Sequence, residues 1–152
     1  MVGKTFFEDI KIGQEIPILK RKAELVGQHF LPPVFGGMEL EADQSKAEER
    51  ARELGVDPIH VAKIFGGIWL LEFLSQMMTN WLPNPKGWLE GGRLNARFIG
   101  IIHPGETIQC KGKVLDKVSE NGNDYAICEV WIENEAGQKV VIGEGTINFG
   151  KA

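Results

Sequence analysis

Residues 59–105 read IHVAKIFGGIWLLEFLSQMMTNWLPNPKGWLEGGRLNARFIGIIHPG, and this stretch decides the fold. From Val61 to Asn80 the chain is apolar on nearly every side of a helix, with a glycine pair, Gly66 and Gly67, near its start. A helix without a solvent face must be enclosed by protein or by lipid. At 1.5 Å per residue it is about 30 Å long, enough to cross a bilayer. Lys63, Glu72, Gln76 and Asn80 interrupt it, however. Charge at a bilayer centre is expensive, so the pattern predicts a core helix.

The enclosure is encoded on either side. Downstream, Trp88 to Ile102 reads as a strand with a glycine pair, Gly91 and Gly92, of the kind that marks a bulge or a close backbone approach. Thr107 to Val118 is the next strand. Asn121-Gly122 is a hairpin signal that leads into Asp124 to Glu133, where apolar residues alternate. Ala136-Gly137 turns the chain into a last strand, Lys139 to Phe149. Upstream, FFEDIKIGQEIP reads as an extended lead-in with a turn at Ile12-Gly13-Gln14, and Ile18 to Gln28 fits a short helix or a strand. HFLPPVFGGM (29–38) has two prolines and two glycines, an irregular loop apolar enough to line a cavity. SKAEERAREL (45–54) reads as a surface helix, capped by Ser45 with Glu48 three residues on, and stopped by Gly55. These elements make one α+β domain over residues 1–152, a long buried helix wrapped by an antiparallel sheet.

Composition narrows the function. With 152 residues, 43% hydrophobic and 25% charged, the chain has material for a substantial core. Its net charge of -4 speaks against a general nucleic-acid binder, which needs a basic face. Cys110 and Cys128 sit in expected strands without metal-ligand spacing and read as reduced core residues. MVGKTFFEDI has no apolar run of signal length, so a cytoplasmic location is expected.

Three segments resemble the MaoC-like family of acyl-CoA hydratases and dehydratases: FEDIKIGQEIP (7–17), LGVDPIHVAKIFGGIWLLEFLSQMMTNWLP (54–83) and WLEGGRLNARFIGIIHPGETIQCKGKV (88–114). The likeness lies in their order and spacing over well over half of the chain. It implies a hotdog fold and addition of water to a 2-enoyl thioester, or its loss from a 3-hydroxyacyl thioester. The substrate would ride on CoA or acyl carrier protein, with no separate cofactor and no metal. It also implies a homodimer or higher hotdog oligomer, or a heteromer with a relative, in which two chains build each acyl channel.

Hydration of this kind needs two titratable groups on one side of the substrate, one holding the water and one passing the proton. It also needs donors for the thioester oxygen, where negative charge develops. The family carries its acid-base pair in an Asp-x-Asn-Pro-x-His segment. Laid on GVDPIH (55–60), the family's Asp falls on Gly55 and its Asn on Asp57, so only Asp57 and His60 remain as a displaced pair. If SKAEERAREL is instead the family's short helix, the pair belongs between about Phe35 and Asp43. That stretch offers Glu39, Glu41 and Asp43 but no histidine. Both placements stay open, as do the structural roles of Asp57 as a helix cap and His60 as a packed residue. Gly66 and Gly67 take the place of the family's oxyanion donor, or simply let a strand pass close. A thioesterase on the same fold would use a carboxylate such as Glu41, Asp43 or Glu72. For the CoA phosphates, Arg93 and Arg97 alternate along one strand, with Lys111 and Lys113 on the strand that follows. The four tryptophans suit core and interface better than adenine stacking.

Overall fold

The computed structural model describes residues 7–23, 52, 53, 55, 58–100, 102 and 106–151; within the long helix, side chains are described from Leu70 onward. After a 3-10 turn at Phe7–Asp9 come strand β1 (Glu15–Lys22), helix α1 (Pro58–Trp81) and the short helix α2 (Lys86–Leu89). Four strands follow: β2 (Arg93–Phe98), β3 (Thr107–Glu120), β4 (Asn123–Glu133) and β5 (Lys139–Lys151). All pair antiparallel in one sheet of order β1-β3-β4-β5-β2.

Period-two patterning builds the sheet. Ala126, Cys128, Val130 and Ile132 on β4 are buried, while the residues between them are half-exposed. Opposite them, Ile108, Cys110 and Val114 of β3 and Val141 and Ile147 of β5 complete the inner face. The β3–β4 turn is the expected one: Asn121 and Gly122 have φ of 53° and 76°. Two positive φ values are what a two-residue hairpin with right-handed twist demands.

Helix α1 lies on the inner face and touches β1, β3, β4 and β2, including both edge strands. Four strand spacings measure about 19 Å, nearly twice the diameter of a helix, so the sheet must curl around it. Leu70, Leu74, Met77, Met78 and Trp81 form its buried stripe. One expectation needs correcting. In its described half the helix is not apolar all round, because Glu72, Gln76 and Asn80 are exposed in a line. In this half the sheet covers the stripe of Leu70, Leu74, Met77, Met78 and Trp81 and leaves the line of Glu72, Gln76 and Asn80 to solvent.

Close packing needs a gap in the wall. Gly112 sits on the inner face, and a Cβ there would come within 2.9 Å of Ile16 Cδ1 and 3.3 Å of Met77 Cε. The glycine lets helix and edge strand meet over β3.

Further differences concern boundaries. The strand expected from Trp88 begins only at Arg93, because Trp88 belongs to α2. Asn84-Pro85 starts that helix: the Lys86 N–H donates to Asn84 Oδ1 at 3.0 Å, and those of Trp88 and Leu89 to the Pro85 carbonyl at 2.9 Å. Gly91 and Gly92 are the turn after α2, not a strand bulge; the Gly92 N–H donates to the Trp88 carbonyl at 3.0 Å. The ambiguous stretch from Ile18 is strand as far as Lys22. Of the surface helix expected at 45–54, Arg52 and Glu53 are described, helical and exposed. Gly55 ends it at φ 67°, its N–H on the Arg52 carbonyl at 3.1 Å. The loop expected at 29–38 lies outside the described residues. No helix among the described residues is long and apolar enough to cross a membrane.

Candidate functional site

The mouth of α1 is where the sequence concentrates its candidate chemistry. Pro58 is the first helical residue, suited to that position because its missing N–H needs no partner there. His60 therefore stands in the first turn. Ile59 and His60 are the first-turn positions whose N–H groups lack an intrahelical acceptor, and the positive end of the helix dipole gathers around them. Gly66 and Gly67 lie about two turns further in, inside the hydrogen-bonded ladder. Asp57, Glu41 and Asp43 fall outside the described residues, as does the turn with His103. Glu72, the carboxylate considered for thioester hydrolysis, is exposed on the solvent line of α1.

The basic residues considered for phosphate do not form one cluster. Arg93 and Arg97 share the outer face of β2 and are exposed, as their spacing predicts. The strand beside β2 is β5, however, and β3 lies beyond β4 on the far side. Lys111 and Lys113 are therefore not on an adjacent strand. They are also engaged: Lys111 Nζ meets Glu133 Oε2 at 2.6 Å, and Lys113 Nζ meets Glu129 Oε2 at 3.4 Å. The hydrogen bond from Lys111 holds the Glu133 carboxyl below the usual carboxylate range. Residues adjacent in sequence patterning were parted by a strand order that only long-range pairing sets.

The other candidates are structural. Trp81 and Trp88 are buried in the core, and Trp88 Nε1 donates to Ser75 Oγ at 2.8 Å, tying α2 to α1. Trp131 lies on the outer face, its Nε1 donating to Glu133 Oε1 at 3.2 Å, with Lys139 Nζ 4.6 Å from its ring centre. Cys110 and Cys128 are free and buried, their thiols pushed up to about 12 mainly by burial. Neutral thiols of this kind are not nucleophiles. Among the described residues no group of three or more His, Cys, Asp or Glu side chains is arranged to hold a metal ion. A cleft of about 490 Å³ opens at the other end of α1, between Asn84, Lys86 and Glu90 on one side and Asn148 and Phe149 on the other.

No protein-family model matches the chain, and no curated protein matches it. Solved structures do. An (R)-hydratase from A. caviae involved in PHA biosynthesis is 18% identical with a TM-score of 0.63, over 92% of this chain and 97% of that one. A MaoC-like dehydratase from Rhodospirillum rubrum is 17% identical with a TM-score of 0.60, over 97% and 98%. The ChsH1-ChsH2 complex from Mycobacterium tuberculosis gives 16% and 0.50, over 93% and 98%. At these identities the likeness establishes architecture, and it agrees with the helix, the strand order and the curl of the sheet. The chain has the hotdog fold shared by MaoC-like dehydratases and (R)-hydratases.

Proposed function

We propose that this chain serves the hydration of 2-enoyl thioesters or the dehydration of 3-hydroxyacyl thioesters, carried on CoA or acyl carrier protein. The observation that carries this reading is the near end-to-end match to an (R)-hydratase, 92% of one chain against 97% of the other. In this reading the thioester oxygen sits at the mouth of α1. There the free N–H groups of the first turn and the helix dipole stabilise the negative charge of the enolate. His60 of that turn, with Asp57, or a carboxylate from Glu41 or Asp43, holds the water and passes its proton to the α-carbon.

The test is turnover of short and medium trans-2-enoyl-CoA, followed by loss of enoyl absorbance, with His60→Ala and Asp43→Ala alongside. Hydration abolished in His60→Ala places the acid-base work at the helix mouth. Hydration that survives there and falls in Asp43→Ala places it in the acidic loop. Release of free CoA without hydration makes the chain a thioesterase on this fold and overturns the reading.

A second reading is favoured by one feature of the sequence. The chain has no Asp-x-Asn-Pro-x-His segment, which suits a hotdog subunit that shapes the acyl channel of a catalytic partner. The solved ChsH1-ChsH2 neighbour is a complex of two chains. Absence of any turnover by the isolated chain, restored on adding a dyad-bearing relative, would establish this role.

A further inference from the structure

The cleft at the far end of α1 is remote from the mouth of that helix. From His60 to Trp81 the helix advances about 30 Å. At about 490 Å³ the cleft has room for a small organic ligand. Nothing in the hydratase reading uses it.

Its walls come from two elements brought unusually close. β2 pairs with β5 only as far as Thr146, opposite Arg93, so the next stretch of β5 has no strand on that side. Helix α2 covers it instead. Two glycines four residues apart make the approach possible. A Cβ at Gly87 would collide with the Asn148 carbonyl oxygen, and one at Gly91 would stand 3.0 Å from Asn148 Cβ and 3.1 Å from its Nδ2. On the β5 wall the register with β4 slips, leaving Phe149 unpaired between Asn148 and Gly150. Gly150 takes a φ of 82° there. Bulges of this sort re-aim side chains next to functional sites.

The side chain held here is that of Asn148. Its Oδ1 accepts the Gly150 N–H at 2.8 Å, which fixes the amide and leaves Nδ2 on the side of Gly91, in the cleft. Across the cleft Asn84 is fixed in the same way. Its Oδ1 accepts the Lys86 N–H at 3.0 Å, so its Nδ2 is left as a donor. Neither Nδ2 has an acceptor among the described residues. Lys86 is the third donor. It meets Glu90 at 3.6 Å with both side chains 68% exposed, a weak pair that leaves the ammonium able to turn to another anion. Donors therefore outnumber acceptors, and Pro83 and Phe149 supply apolar wall beside them.

We infer that this cleft is a binding site for a small monocarboxylate with a short apolar tail. The carboxylate oxygens accept from Asn84 Nδ2, Asn148 Nδ2 and Lys86 Nζ, and the tail lies along Pro83 and Phe149. Asn148 contributes most, because the bulge holds its amide in place before any ligand arrives, and preorganised donors lose least on binding. The site is independent of the hydratase reading, since it is detected by binding and needs no turnover.

The experiment titrates the full chain with sodium butyrate and follows the side-chain amide signals of Asn84 and Asn148 by heteronuclear NMR. Sodium chloride at equal ionic strength is the control, and inorganic phosphate is the competing anion. Both signals should shift and saturate, with a dissociation constant on the order of millimolar. Asn148→Asp keeps the oxygen that Gly150 uses and replaces the donor with a charged acceptor. Followed at Asn84, it should weaken butyrate at least about tenfold. Lys86→Met changes an exposed side chain and should weaken butyrate about threefold. Circular dichroism checks folding; if Asn148→Asp unfolds, Lys86→Met carries the test. The inference is overturned by the absence of a saturable shift at either asparagine, or by shifts that chloride reproduces. Butyrate affinity unchanged in Asn148→Asp, or in Lys86→Met where that variant carries the test, overturns it too. Phosphate bound as tightly as butyrate would overturn the assignment of a carboxylate with an apolar tail.

Discussion

The two faces of strand β4 are made from alternate residues of one eleven-residue run, yet they do different work. Toward the helix stand Ala126, Cys128, Val130 and Ile132, none of them accessible to water. Away from it stand Ile127, Glu129, Trp131 and Glu133, half-open and held by ion pairs and a cation over an aromatic ring. The inner face draws on desolvation, which is large, cooperative and indifferent to salt. The outer face draws on charge pairs in water, which are individually small. Perturbing the inner face should therefore cost the fold, and perturbing the outer face should change only how stability responds to pH and salt.

Thiol labelling gives the widest separation. Cys110 and Cys128 are both on the inner face, fully buried and neutral, with titration pushed up to about 12 from an ordinary 9.0. If that face opens only on global unfolding, a disulfide reagent at neutral pH should react at least about a thousandfold more slowly with native protein than with urea-unfolded protein. Fast labelling of either cysteine would show that the sheet opens locally and would break the contrast. Equilibrium unfolding in urea tests the same face from the helix side. Leu74→Ala removes a side chain with no exposure from the seam between α1 and the sheet. It should cost about 2–5 kcal/mol, the range for truncating a buried leucine.

Gly112→Ala perturbs that seam in the opposite sense, by adding one atom. The new Cβ meets a backbone oxygen, that of Glu129, at 3.0 Å as well as Ile16 Cδ1 at 2.9 Å. The side chain can swing away, but the ladder oxygen cannot, so a loss of about 1–3 kcal/mol is expected. A stabilised Gly112→Ala would mean that β1 is not seated on the helix as closely as its contacts show.

What was legible in advance follows the same division. The alternation on β4 and the Asn121-Gly122 turn are local signals, and both strands and turn lie where the sequence puts them. The wrapped helix was legible because no other arrangement hides so much apolar surface in so long a helix. Strand order was not. That β2 lies beside β5 depends on residues some fifty positions apart, and nothing local to Arg93 or Lys111 records it. Helix α2 was hidden for a different reason: Trp88 looks like a strand residue, and the signal that mattered was the turn chemistry of Asn84-Pro85. The candidate site was legible only as a place. Spacing led to the mouth of α1 and to His60. The choice between Asp57 and the acidic pair Glu41 and Asp43 turns on which stretch aligns with the family's acid-base segment, and neither stretch carries a periodicity that decides it.

The smallest effect belongs to the outer face, and its sign is the useful part. Glu133 takes a hydrogen bond from Lys111 and another from Trp131, and together with the nearby charge of Lys139 these hold its carboxyl below the ordinary 4.5. A carboxyl lowered in the folded state is protonated first in the unfolded chain as pH falls. Its contribution is therefore complete above about pH 4.5 and fades as pH drops through the folded value. Glu133→Gln should cost no more than about 1 kcal/mol at pH 7, because the pair is partly solvated. The difference between wild type and variant should shrink toward zero in acid and diminish in high salt. Urea midpoints at pH 7 and along a series descending below pH 4.5 decide it. A loss as large as that of Leu74→Ala, or one that does not diminish as pH falls, would mean that the outer face holds the fold by something other than this charge pair.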